Sequence, residues 1–107
     1  MNIAKLLGFL GTDKMQHFSI GTVIAVFVAA VCAASGNFSV RDTFAACFVV
    51  ALAAGAVKEM IDAMLNSKSA EDGLPPAHTV DPWDVAATAL GGAYVGGLFW
   101  LADFLGR

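Results

Sequence analysis

An aspartate and a histidine four residues apart, Asp13 and His17, share one face of any helix that contains them. Glu59 and Asp62 are three apart, as are Asp81 and Asp84, and each pair also falls on a single helical face. Lys14 and Lys58 stand beside the first two pairs. Carboxylates and an imidazole are the oxygen and nitrogen donors that hold divalent ions. An ion so held activates a water molecule or polarises a phosphoryl oxygen. A neighbouring histidine or carboxylate then serves as general base. Each pair alone is common in unrelated sequences, so its weight depends on whether the fold brings the pairs together.

The elements that must position them are apolar. In 107 residues there is room for one domain, residues 1–107. Hydrophobic residues make up 58% and charged residues 14%, against about a quarter charged in soluble domains. A soluble chain this short needs more charge to cover its surface. The net charge of -3 and the lack of a basic stripe exclude a nucleic-acid partner. Cys32 and Cys47 lie inside apolar runs without a CxxC pattern and read as small buried hydrophobes.

Three charge-free runs cover residues 18–35, 43–57 and 85–102. About 20 apolar residues cross a bilayer, with about 17 to 25 tolerated. The second run is short, but Arg41 can snorkel at one end and the helix can continue through Lys58 at the other. The expected fold is all-α: an integral membrane bundle of three transmembrane helices, over about 14–35, 41–66 and 82–105. Residues 18–34 have the character of a signal-peptide core, but Asp13 and His17 ahead of them favour a retained span. Residues 2–10, apolar with one Lys5, predict a short N-terminal interfacial helix. Residues 36–39 form a tight turn, and residues 67–80, with Gly73, Pro75 and Pro76, predict a solvated loop. Asp81 suits the N-cap of the third helix, Pro82 its first position and Asp84 the capping-box position.

Small residues recur at intervals of four: Gly21, Ala25 and Ala29 on span one, Gly92 and Gly96, and Ala93 and Gly97, on span three. Such faces let helices approach closely, within the chain or between copies, so Gly92, Gly96 and Gly97 could build a homo-oligomer. Trp83 and Trp100 sit near opposite ends of span three, as interfacial anchors do.

Three spans place the start of the first, the end of the second and the start of the third on one side. That side receives Asp13, Lys14, His17, Lys58, Glu59, Asp62, His78, Asp81 and Asp84, while the other has Arg41, Asp42, Asp103 and Arg107. The candidate site is therefore Asp13, Lys14, His17, Lys58, Glu59, Asp62 and Asp84, with His17, Glu59, Asp62 and Asp84 as metal ligands. Ionisable groups at the ends of apolar spans are costly and default to functional roles. A plainer account assigns Asp13 or Asp81 to capping and the lysines to interhelical ion pairs. The excess of Lys5, Lys14, Lys58 and Lys68 over Arg41 and Arg107 points the polar end to the cytoplasm.

The block Asp13-Lys14-Met15-Gln16-His17-Phe18, then Lys58-Glu59-Met60-Ile61-Asp62, then Asp81 to Asp84 followed by Ala86-Ala87-Thr88-Ala89-Leu90-Gly91-Gly92, resembles the YfiM-type lipoproteins, small bacterial proteins. There is a fainter similarity to VanZ-like membrane proteins. The likeness runs over about residues 13–97, and the DKMQHF block is its most specific part. It departs from the lipoprotein pattern in lacking a lipobox before that block and in having more apolar helices. The resemblance implies a bacterial protein and a joint role for Asp13, His17, Lys58, Glu59, Asp62 and Asp84, and brings no activity with it; the apolar spans make the bacterial inner membrane the expected location.

Two functions follow as expectations. In one, the polar end binds a divalent metal ion, the one cofactor expected, or a lipid-phosphate headgroup, with membrane lipids as partners. In the other, the chain is a non-catalytic scaffold or oligomeric module whose charges form an interhelical ion-pair network. An ion or proton conduit fits less well, because the middle of each span has no ionisable residue.

Overall fold

The computed structural model describes residues 12–76 and 80–106, and these are all-helical. Helix α1 covers Thr12–Ser35, α2 Val40–Glu71 and α3 Pro82–Leu105. All three are long and apolar enough to cross a membrane. Each packs against both others. The helix expected over residues 2–10 lies outside the described residues, as does His78.

Local chemistry sets the helix ends. The Ser39 hydroxyl accepts from the Asp42 N–H at 3.0 Å and caps α2. At the other end of α2, Gly73 takes φ +71°. Its N–H donates to the Ala70 carbonyl and the Leu74 N–H to the Ser69 carbonyl, the paired bonds of a glycine C-terminal stop. This places the end of α2 at Glu71, five residues beyond the expected boundary at 66. Residues 67–71 contain neither Gly nor Pro, so the helix runs on until Gly73 supplies the left-handed turn. Asp81 caps α3 by accepting from the Trp83 N–H, with Pro82 in the first turn.

Packing inverts the pattern of a soluble domain. Val95 apart, the buried apolar positions are small, among them Gly21, Ala25, Ala29 and Cys32 on α1, Cys47, Ala51 and Gly55 on α2, and Gly91, Gly92 and Gly96 on α3. Ala25 and Cys47 are fully buried, whereas Phe27 is 70% exposed and Leu90 61%. Large apolar side chains on the outside and small ones within are what a lipid solvent selects, since lipid tails are as apolar as leucine. The backbones then meet directly. A Cβ added to Gly21 would fall on the Thr88 carbonyl oxygen, and one added to Gly91 on the Phe18 carbonyl oxygen. Added at Gly92 it would lie 2.6 Å from the Cys47 carbonyl oxygen, and at Gly96 3.0 Å from Phe44. Gly92 and Gly96 thus serve the α2–α3 seam within the chain, while at Gly97 the nearest atom is 4.0 Å away.

Candidate functional site

The buried seams continue into the polar end without changing step. His17 stands four residues before Gly21, Glu59 four after Gly55, and Asp84 four before Thr88. All three side chains point into the bundle and are buried. The Thr88 hydroxyl donates to the Asp84 carbonyl oxygen at 2.9 Å, which satisfies its own buried donor within α3.

One donor atom from each of His17, Glu59 and Asp84 lies within 4.8 Å of the other two. The His17 Nε2 is 3.3 Å from Asp84 Oδ2. The other Asp84 oxygen, Oδ1, accepts from Lys14 Nζ at 2.5 Å, and the same ammonium donates to Asp81 Oδ2. Glu59 Oε2 accepts from the backbone N–H of Asp81 at 3.0 Å. Its partner oxygen, Oε1, is buried and has no hydrogen-bond partner. Lys58 is turned to Asp62, donating at 2.8 Å, and stays 3.9 Å from Glu59 Oε1. A buried acceptor left without a donor costs about 1–3 kcal/mol, more when charged. Glu59 is therefore the least compensated of the buried carboxylates.

Electrostatics sharpen the contrast between rim and interior. Asp81, at the head of α3, keeps its carboxyl below the usual range, first because Lys14 donates to it and then because the Trp83 N–H does. Among the described side chains of the site, the carboxylates of Glu59, Asp62, Asp81 and Asp84 outnumber the ammonium groups of Lys14 and Lys58 by two. Burial makes such a surplus expensive unless a cation joins it.

Of the residues picked out by sequence, His17, Glu59 and Asp84 are brought together, with Lys14 against Asp84. Asp62, also buried on α2, pairs with Lys58 and is not one of the three donors that converge. Asp13 lies in the first turn of α1, and its side chain is outside the described set. Asp81, which its position marked as a cap, has two further tasks: its carboxylate holds Lys14 and its N–H holds Glu59. Only the second is invisible to side-chain reasoning, because it is a main-chain bond across 22 residues. No family model, curated protein or solved structure matches the chain.

Proposed function

We propose that this protein is a membrane-embedded helical bundle that holds a divalent first-row transition-metal ion at one hydrocarbon boundary, through His17, Glu59 and Asp84. The observation that carries the reading is Glu59, whose buried Oε1 has no hydrogen-bond donor and whose carboxylate offers one oxygen within 4.8 Å of a donor atom of an imidazole and of a second carboxylate. A cation supplies what that oxygen lacks, and two positive charges balance the surplus of the site. An imidazole among the ligands favours zinc, iron, copper or nickel over magnesium, calcium and manganese, which suit oxygen ligands. The 3.3 Å between His17 Nε2 and Asp84 Oδ2 supports this choice. Two ligands about 2.0–2.1 Å from a tetrahedral ion stand about 3.4 Å apart. Three protein ligands leave a position for water or substrate, and an ion there acts as a Lewis acid.

Depth supports a boundary location. From Arg41 to Lys58 and from Asp84 to Asp103 the helices rise about 25–29 Å, close to the roughly 30 Å of a hydrocarbon core. The cluster then lies where headgroups begin. Of the described lysines at that depth, Lys14 and Lys58 are each engaged by carboxylates, so a headgroup would be held through the ion. The lysine excess on this side favours a cytoplasmic face of a bacterial inner membrane.

A second reading is a scaffold in which the charges only join helices. The Lys14 bridge between Asp81 and Asp84 and the Lys58–Asp62 pair favour it. Thermal unfolding of the purified protein in detergent separates the two. With EDTA removed and Zn²⁺ at a hundredfold excess over its Kd, the metal reading gives about 2.7 kcal/mol of added stability. That gain disappears in His17→Ala. An unfolding midpoint that is the same with EDTA, Zn²⁺ and Mn²⁺ contradicts the metal reading and leaves the scaffold.

A further inference from the structure

Asp84 offers its two oxygens to two different partners. Oδ2 lies 3.3 Å from the Nε2 of His17, a fellow member of the three-residue donor group, while Oδ1 is held by Lys14 Nζ. Lys14 is itself anchored by a second carboxylate, Asp81 Oδ2. Asp81 is fixed in turn, because its other oxygen, Oδ1, caps α3 through the Trp83 N–H. The ammonium is therefore seated between two carboxylates whose positions the start of α3 dictates. Its side chain is 28% exposed, against 5% for Asp84, so the lysine closes the solvent side of the carboxylate.

We propose, resting on the metal reading above, that Lys14 is a positioning residue that sets which ion the site accepts. By occupying Asp84 Oδ1 it leaves Asp84 able to bind an ion through one oxygen only. Ions differ in how much this matters. Calcium needs six to eight oxygens and draws on bidentate carboxylates to reach that number. Zinc is content with four ligands, one atom from each residue. A lysine on Oδ1 removes one oxygen from a site already short of them, which selects against calcium and is harmless to zinc. Partners that orient ligands from outside commonly tune metal affinity by 10–100-fold.

The charge of Lys14 also acts on the site, and the test must separate the two effects. Removing one positive charge strengthens binding of any divalent ion by a similar factor, because both ions carry the same charge. Freeing Asp84 Oδ1 strengthens calcium binding alone. The ratio of Ca²⁺ to Zn²⁺ affinity is then the quantity to read.

Isothermal titration of the full chain in detergent micelles with ZnCl₂ and with CaCl₂ measures it, for the parent, Lys14→Met and Lys14→Arg. The expected result is a Ca²⁺/Zn²⁺ affinity ratio at least tenfold higher in Lys14→Met than in the parent. Lys14→Arg, which can still donate to Oδ1, restores the parent ratio. If Lys14→Met loses its helical circular-dichroism signal, Lys14→Leu with Asp81→Asn, which removes the stranded partner charge as well, is read by the same criterion. A parent that binds Zn²⁺ and a variant whose two affinities move together overturn the role of Lys14 and leave the metal site standing. A parent that binds neither ion overturns both.

Discussion

The backbone N–H of Asp81 donates to Glu59 Oε2 at 3.0 Å, so the residue that caps α3 is also tied to a buried side chain of α2. One oxygen of Glu59 thus holds two helices together, and its other oxygen is buried without a donor. Helix joining and the proposed ion binding both fall on this carboxylate, and substitutions can separate them.

Glu59→Ala strands the Asp81 N–H and lowers unfolding stability by about 1–3 kcal/mol in EDTA. Glu59→Gln keeps an acceptor for that N–H and removes an uncompensated buried charge, so its stability in EDTA stays within about 1 kcal/mol of the parent. It nevertheless loses the stabilisation by Zn²⁺. Denaturation curves in mixed micelles check both values. Equal damage from the two substitutions contradicts the role given to the Asp81–Glu59 bond.

The helix seams make a second prediction. Gly21→Ala directs a methyl group at the Thr88 carbonyl oxygen, which is backbone and cannot rotate away. Overpacking of this kind costs about 1–3 kcal/mol. Gly97→Ala, whose new methyl meets nothing closer than 4.0 Å, is the control and leaves stability near the parent value. The same unfolding assay reads both, and a Gly21→Ala protein as stable as Gly97→Ala contradicts the close α1–α3 approach.

Acid stability follows from Asp81. Its carboxyl lies below the ordinary 3.8 when folded, because Lys14 and the Trp83 N–H favour the charged form. A group whose folded value is depressed contributes stability above its unfolded value and loses it as pH falls through the folded one. Asn caps helices as well as Asp does, so Asp81→Asn removes the charge and spares the cap. The parent therefore exceeds Asp81→Asn in stability at about pH 7, and the difference shrinks below about pH 3.8 as the parent carboxylate is protonated. Side-chain exposure of 29% keeps the effect modest through solvent screening. Unfolding midpoints across that range test it; a difference that grows on acidification has the wrong sign.

Much of this was legible in the sequence, for physical reasons that differ by element. Charge-free runs announced three spans because lipid excludes charge, and Asp81-Pro82 announced the start of α3 because cap chemistry is local. The end of α2 is not legible in the same way, because residues 67–71 are polar yet helix-compatible and polarity alone does not end a helix. The one-sided polar cluster followed from counting spans. Which acids would meet His17 depended on helix rotation, and the signal for that was present. Extending the four-residue step of Gly21, Ala25 and Ala29 backwards reaches His17. Extending Gly92 and Gly96 backwards through Thr88 reaches Asp84, and continuing from Ala51 and Gly55 reaches Glu59. Asp62, one step off that series, is the residue the structure assigns to Lys58 instead.

X-ray absorption at the zinc edge of the Zn²⁺-loaded protein in detergent tests the metal centre most directly. A centre on His17, Glu59 and Asp84 holds one equivalent of zinc with a nitrogen and oxygen shell at about 2.0–2.2 Å, a single imidazole, and no sulfur at about 2.3 Å. Absence of retained zinc after dialysis, or a sulfur shell drawn from Cys32 or Cys47, contradicts a centre built on His17, Glu59 and Asp84.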